Sequence, residues 1–145
     1  LVPMAMSMIF NVVLLLELLV KKKKLRNSSS VVFTASISGY NNVAPANGIY
    51  GTSKSALSTY MKYAALELAG KGIRCNAVQP GRINTPLISN RLLSEEDVTK
   101  DIEQYPMKRY GKPEEVAHAI IYLLSDASAW VTGTNLVIDG GRSLK

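Results

Sequence analysis

Cysteine and histidine are almost missing from this sequence of 145 residues, which contains one of each, Cys75 and His118. A single cysteine excludes a disulfide within the chain. Cys75 stands in the alternating apolar stretch Ile73–Val78, which predicts a buried structural thiol rather than a reactive one. His118 lies in a helical pattern without companions at metal-ligand spacing. The sequence therefore predicts neither a disulfide framework nor a zinc or iron site.

Negative charge is also scarce, with 11 Asp and Glu against 17 Lys and Arg, so the formal net charge is +6. Lys21–Lys24 and Arg26 carry much of this excess, and without them the chain is nearly balanced. Proteins that bind nucleic acids usually spread their cations along a face, with aromatic side chains between them. One cluster after an apolar helix instead predicts a solvated helix end, where cations suit the helix dipole. No nucleic-acid partner is expected.

Charged residues are nearly absent from Leu1–Val20, where Glu17 is the only one. An apolar stretch followed by Lys21–Lys24 resembles a membrane span with a stop-transfer flank. However, Glu17 inside a bilayer costs a few kcal/mol, and the stretch lacks the basic start and cleavage site of a signal peptide. A helix buried within a domain or in a subunit interface explains the pattern equally well. We expect a cytoplasmic protein without a membrane partner, and a membrane-anchored protein remains the alternative.

Strand and helix patterns alternate along the rest of the chain. The predicted strands are β-branched or apolar runs, and the predicted helices repeat apolar residues at helical spacing. This order predicts an α/β fold with a parallel sheet in a single domain, 1–145. The predicted strands are Val31–Ala35, Ile73–Val78 and Leu136–Ile138, and the predicted helices are Ile49–Ala69, Ser94 to about Tyr105, and one from Pro113 with the inner stripe Val116, Ile120, Leu123 and Leu124.

Ligands of parallel sheets bind at the carboxyl ends of the strands. Ser36 follows the first predicted strand, and Pro80–Thr85 and Asp139–Gly141 follow the other two. Tyr50 and Lys54 stand four residues apart at the start of the helix that returns from the first strand, so they share one helix face. The sequence therefore predicts that these groups gather at one edge of the sheet.

A tyrosine beside a lysine suits proton transfer, because the ammonium favours the phenolate form of a phenol whose ordinary pKa is about 10. A nearby serine hydroxyl holds a substrate oxygen while the proton moves. The spacing of Tyr50 and Lys54 alone is also compatible with a chance pair at a helix start, because the sequence contains seven tyrosines and many lysines. Both interpretations remain open at this point.

Four segments together resemble the short-chain dehydrogenase/reductase family over about residues 9–144. They are VVFTASISG, YGTSKSAL, IRCNAVQPGRINTPL and the stretch from MKRYGKPEEV to LVIDGG. The last two are long and distinctive. The resemblance implies a Rossmann-like doubly wound parallel sheet, and it is nearest to the 3-oxoacyl-acyl-carrier-protein reductase-like group.

The resemblance also implies catalytic roles. Ser36 would polarise the substrate carbonyl or hydroxyl, and it is preferred to Ser38 because of its place in the S-I-S-G frame. Tyr50 would be the general acid/base, and Lys54 would lower the pKa of Tyr50. The family often adds an asparagine about 28 residues before the serine. Here Asn11 lies one helical turn beyond that position and is the candidate, and a buried helix asparagine with a purely structural role is the alternative.

NAD or NADP is the cofactor that the resemblance implies. Lys54 would hold the nicotinamide ribose, and the segment after Pro80-Gly81 would contact the carboxamide. A small carbonyl or alcohol compound would be the substrate, and a homo-oligomer, dimer or tetramer, is expected. The implied cofactor-binding residues are Tyr50, Lys54, Pro80, Gly81, Ile83 and Thr85.

One departure concerns glycine, since none precedes Gly39. The family's phosphate-binding loop, T-G-x-x-x-G-x-G, and its N-A-G strand therefore have no counterpart in this sequence. We expect a partial copy of the fold that lacks the N-terminal strands. Two functions follow as expectations: an NAD(P)-dependent oxidoreductase, or a truncated non-catalytic fragment that serves as an assembly subunit.

Overall fold

A three-stranded parallel sheet organises the computed structural model, which describes residues 2–40, 42–86 and 94–145. Its strands are β1 (Ser30–Thr34), β2 (Arg74–Pro80) and β3 (Asn135–Ile138), with β2 in the centre. Ser30 pairs with Arg74 and Thr34 with Val78, so β1 and β2 end at the same edge. The predicted α/β class with a parallel sheet is confirmed. Leu1, the first residue of the predicted apolar helix, lies outside the described ranges.

Helices flank both faces of this sheet. The described helices are α1 (Val2–Lys21), α2 (Gly48–Ala69), α3 (Glu95–Glu103) and α4 (Pro113–Leu124), and α3 has no buried residue. Side chains alternate between faces along a strand, and Phe33, Cys75 and Ala77 join α1 and α2 in the main hydrophobic cluster. On the other side, α4 contacts β1 and β2. The doubly wound arrangement is thus present in this three-stranded portion.

The face of α2 that meets the sheet is the one predicted from the sequence. Leu57, Met61, Ala64, Ala65 and Leu68 are all buried. Two alanines in this stripe keep the helix close to β2, where Cys75 and Ala77 are fully buried. Burial raises the pKa of the Cys75 thiol to about 11, which agrees with a structural thiol, since the thiolate is the reactive form.

Only one face of α1 is covered by the described chain. Leu16 is buried and Val12 and Val20 pack on the core. The opposite face exposes four large apolar side chains: Phe10, Leu14, Leu15 and Leu18. The described residues therefore bury one face of this helix, and burial of its other sides, inside a domain or in a subunit interface, stays a prediction. No helix within the described ranges is long and apolar enough to cross a membrane.

The inner stripe predicted for α4 is only partly right. Leu123 is fully buried, whereas Leu124 is 50% exposed. Successive residues of an α-helix differ by about 100° around its axis, so Leu124 leaves the narrow stripe that meets the sheet when Leu123 occupies it. The prediction for Leu124 was wrong because periodicity alone does not fix the width of the covered stripe.

Glu115 fastens the start of α4. Its carboxylate accepts hydrogen bonds from both terminal nitrogens of Arg109, at 2.6 and 2.8 Å, and from the backbone N–H of Lys112 at 2.7 Å. The hydrogen bonds from Arg109 and then from Lys112 lower the pKa of Glu115 to about 2. A lowered carboxyl pKa means a stabilising contribution that is present above the unfolded-state pKa and is lost on acidification.

Replacing Glu115 by glutamine is therefore expected to lower the melting temperature most near neutral pH. The difference from the unmodified chain should shrink as pH falls from about 4.5 towards about 2, where the carboxyl becomes protonated in both states. Thermal unfolding across this pH series measures it, with Glu114→Gln in the same helical turn as the control. A difference that does not change with pH would contradict the assignment.

Candidate active site

Ser36 lies just beyond the carboxyl end of β1, at the start of the short 3-10 helix Ile37–Gly39. The residue is only 7% exposed, and its Oγ accepts a hydrogen bond from the backbone N–H of Ser38 at 3.2 Å. This bond caps the turn and fixes the hydroxyl. A hydroxyl carries one donor and two lone pairs, so Ser36 keeps its O–H to donate. That is the group required to polarise a substrate oxygen.

Two glycines allow this serine-bearing turn to approach α2 closely, because they have no Cβ. A Cβ on Gly39 would lie 2.6 Å from the backbone nitrogen of Ser55, and one on Gly51 would lie 2.7 Å from the carbonyl oxygen of Ser38. The backbone of the turn thus touches the backbone of the first two turns of α2, which carry Tyr50 and Lys54. The sequence interpretation did not assign these contacts to Gly39 and Gly51, although both glycines stand inside the matched motifs.

Lys54 is anchored by the strand that leads to Ser36. Its Nζ donates to the backbone carbonyl of Thr34 at 2.9 Å and lies 5.7 Å from the centre of the Tyr50 ring. Burial lowers the pKa of Lys54 below its ordinary value. The ammonium is therefore held beside the tyrosine, where a positive charge stabilises a phenolate. Tyr50 and Lys54 therefore share one face of the helix, as their spacing in the sequence predicted.

The Tyr50 ring lies beside the Lys54 ammonium, and the residue is partly exposed. It is 44% exposed, so part of the residue is accessible from outside the chain. Its backbone carbonyl accepts the Ser53 hydroxyl at 2.7 Å, which supports the first turn of α2. Ser36, Tyr50 and Lys54 consequently belong to two backbone segments in direct contact, and the arrangement is suited to passing a proton to a substrate oxygen.

Asn11, the remaining candidate catalytic residue, lies on α1 rather than on the segments that carry Ser36, Tyr50 and Lys54. It is exposed on α1, roughly 140° around the helix axis from the buried Leu16. The face of α1 that packs on the core is the one with Val12, Leu16 and Val20. The catalytic role of Asn11 therefore stays a prediction.

Main-chain hydrogen bonds hold the segment after β2 at two points, Gly81 and Asn84. Gly81 donates its N–H to the carbonyl of Ile138 at 2.9 Å, and a Cβ on Gly81 would lie 2.9 Å from the Cβ of Asp139. Farther along, Ile83 forms a parallel bridge with Gly111. The N–H of Asn84 donates to the Gly111 carbonyl at 2.8 Å. Pro80 is the last residue of the central strand, and Gly81, Ile83 and Thr85 follow it at the sheet edge where Ser36 follows β1.

A cavity of about 310 Å³ lies between the turn after Ser36 and the start of α2. The turn residues Ser38 and Gly39 and the α2 residues Gly51, Thr52 and Ser55 line it together with the apolar side chains of Val43 and Ala44, and its wall is mainly apolar. Tyr50 and Lys54 are not among its lining residues. Among the residues that the structure describes, no group of three or more His, Cys, Asp or Glu is arranged to hold a metal ion.

The fit of a nicotinamide cofactor can be judged from the donors present. The Lys54 ammonium has three N–H groups, and one is directed at Thr34, so two remain for ribose hydroxyls. The 80–85 segment is held by main-chain bonds close to β3 and to Gly111, and it offers a rigid backbone wall. These groups fit the nicotinamide end of such a cofactor.

Comparison with known proteins gives consistent matches. Residues 5–143 match the family described as enoyl-(acyl carrier protein) reductase. Cyclohexanol dehydrogenase of Acinetobacter sp. is 41% identical over 116 residues, which are 80% of this chain and 44% of that protein. The 3-oxoacyl-acyl-carrier-protein reductase of Thermotoga maritima is 42% identical over 118 residues, 81% of this chain and 46% of that protein.

Solved structures agree with these relatives. A short-chain type dehydrogenase/reductase from Mycobacterium ulcerans superimposes with a TM-score of 0.75 at 37% identity, covering 80% of this chain and 42% of that one. The aldohexose dehydrogenase of Thermoplasma acidophilum gives a TM-score of 0.75 at 34% identity, covering 84% and 50%. The chain thus spans about half the length of the curated relatives it matches.

Proposed function

Because the chain belongs to the short-chain dehydrogenase/reductase family, we propose that it carries the Ser–Tyr–Lys site of an NAD(P)-dependent oxidoreductase. The substrate class is a small carbonyl or alcohol compound. The observation that carries the proposal is the Lys54 ammonium, which is fixed to the Thr34 carbonyl and faces the Tyr50 ring on the helix that touches the Ser36 turn. That geometry serves proton transfer at a substrate oxygen.

In the reducing direction, the Ser36 hydroxyl donates a hydrogen bond to the substrate carbonyl oxygen and draws electron density from its carbon. The Tyr50 hydroxyl gives its proton to the same oxygen, and the Lys54 ammonium stabilises the phenolate that remains. A bound nicotinamide supplies the hydride that reaches the carbon. In the oxidising direction the Tyr50 phenolate takes the alcohol proton.

The residues that would hold the cofactor divide between two segments. Lys54 binds the nicotinamide ribose hydroxyls beside Tyr50, and Pro80, Gly81, Ile83 and Thr85 form the wall at the carboxamide. Main-chain bonds to Ile138 and Gly111 make that wall rigid, which favours a cofactor held in one orientation.

Three further parts of the proposal concern the whole protein. Asn11 is the candidate fourth catalytic residue. The exposed apolar stripe of α1, with Phe10, Leu14 and Leu18, supports a homo-oligomer, dimer or tetramer. The protein is proposed to act in the cytoplasm, and the chain to form part of a single Rossmann-like domain.

The second candidate function is a non-catalytic assembly subunit. It is favoured by β1, which lies at one edge of the sheet, and by the same exposed face of α1. Unpaired strand edges and apolar faces both promote association with other chains. Cofactor binding separates this function from the first.

The purified chain is expected to bind NADH or NADPH, measured by fluorescence titration or calorimetry. Lys54→Met should weaken that binding about tenfold or more, because a hydrogen bond from a charged donor contributes about 1.5–3 kcal/mol. Lys62→Met, at an exposed position of the same helix, is the matched control and should leave the affinity unchanged. If neither nucleotide binds at millimolar concentration, the catalytic proposal fails and the assembly subunit is favoured.

A further inference from the structure

Arg82 is held at both its backbone and its side chain by the region around α3. Its backbone N–H donates to the Tyr105 hydroxyl at 3.2 Å. Its guanidinium forms an ion pair with Asp101 of α3 at 2.9 Å and lies 5.5 Å from the centre of the Tyr110 ring. The Tyr110 hydroxyl donates to the same Asp101 carboxylate at 2.8 Å. These four residues form one network.

Burial makes this network stronger than an ordinary surface pair. The side chains of Arg82 and Asp101 are each only about a quarter exposed, at 27% and 28%. The Tyr105 and Tyr110 rings meet edge to face at 5.7 Å and close the network on one side. Partly desolvated charges interact more strongly than exposed ones, so the position of Arg82 is closely tied to that of Asp101.

The backbone of Arg82 is also part of the cofactor-side segment. It stands between Gly81 and Ile83, and its carbonyl accepts the N–H of Gly111 at 3.1 Å. A shift of α3 that moves Asp101 must therefore pull on the peptide that orients Ile83. Arg82 thus contacts α3 through its Nη1 and supports the cofactor-side segment through its backbone carbonyl.

We propose that Arg82 is a positioning residue that couples α3 to the cofactor-side segment 80–85, so that the two segments hold or lose their order together. Only the consequence for cofactor affinity rests on the proposed function; the coupling itself is a property of this chain. Arginine suits this position because its weakly hydrated guanidinium forms, through Nη1, both the ion pair with Asp101 and a hydrogen bond to the Tyr110 hydroxyl at 3.4 Å in a partly buried setting.

Amide hydrogen exchange followed by NMR tests the coupling without any cofactor. Arg82→Met and Asp101→Asn should each raise exchange about tenfold in α3 and at the amides of Asn84 and Gly111, whose N–H groups hold the cofactor-side segment. The double variant should exceed neither single change by much, as expected for one shared interaction. Arg109→Met is the matched control, because it removes the exposed ion pair with Glu115 at the neighbouring helix start. It should leave both segments unchanged.

The other outcomes are equally informative. Acceleration confined to α3, or additive effects in the double variant, would overturn the coupling even if the variants remain folded by circular dichroism. Arg82→Lys retains the charge and should fall between the unmodified chain and Arg82→Met at both segments; equal exchange in Arg82→Lys and the unmodified chain would overturn the requirement for a guanidinium.

Cofactor titration then separates this inference from the proposed function. Arg82→Met should raise the dissociation constant for NADH several-fold, in parallel with exchange at Asn84. If exchange shows the coupling and no variant binds NADH, the coupling stands and the proposed function fails. If NADH binds equally to all variants while exchange is unchanged, Arg82 is not a positioning residue.

Discussion

Replacing Tyr50 by phenylalanine is expected to lower kcat by about 10²–10⁴-fold, because a positioned general acid/base contributes that much to proton transfer. Phenylalanine keeps the ring that Lys54 faces at 5.7 Å and removes only the hydroxyl. Substrate and cofactor affinity should change far less than kcat. Absorbance assays with NADH or NADPH and a panel of small ketones and alcohols provide the measurement.

Tyr63→Phe is the matched control for this change. Tyr63 lies on the same helix and exposes more of its side chain than Tyr50 does, so the loss of its hydroxyl should leave kcat unchanged. Turnover by the Tyr50→Phe variant at the rate of the unmodified protein would show that another group transfers the proton. An equal loss in both variants would show a structural effect.

Replacing Gly39 by alanine is expected to lower the free energy of unfolding by about 1–3 kcal/mol, the range for inserting atoms into a well-packed site. The new methyl group would lie 2.6 Å from the Ser55 nitrogen and 3.0 Å from the Lys54 carbonyl carbon, so the turn must move away from α2. That movement separates Ser36 from Tyr50 and Lys54, and catalysis should fall with stability. Urea unfolding and the turnover assay measure the two effects.

Gly48→Ala provides the control on the same helix. Nothing lies within 4 Å of the position that its Cβ would take. Replacing a glycine without strain is neutral or stabilises a protein by about 0.4–1 kcal/mol through the unfolded chain. If Gly39→Ala unfolds at the same urea concentration as Gly48→Ala, the close approach of the turn to α2 is not required for the fold.

Most of the fold was predictable because its signals are local. The β-branched run of β1 and the alternating apolar run of β2 identify strands, and helical spacing identified the buried face of α2 correctly. The prediction for Leu124 was wrong, and the sequence did not show which face of α1 the described chain covers. An apolar residue indicates a preference for burial, but it does not show that a neighbouring element is present to bury it. Periodicity gives the direction of a helix face, and packing decides how wide the covered stripe is.

The candidate site also has a part that the sequence predicts and a part that only the fold determines. The spacing of Tyr50 and Lys54 by one helical turn determines that they share a face, and chain order places Ser36 after a neighbouring strand. By itself, the sequence therefore determined the family, the residue types of the site and their shared edge of the sheet.

Only the tertiary structure decided how these parts are held. Gly39 and Gly51 bring two backbones into contact, Lys54 is tied to the Thr34 carbonyl, and Arg82 joins Asp101 to the segment after β2. Each of these contacts joins groups 13 to 20 residues apart in the sequence. No local propensity encodes such pairs, because they exist only once the sheet has aligned the ends of its strands.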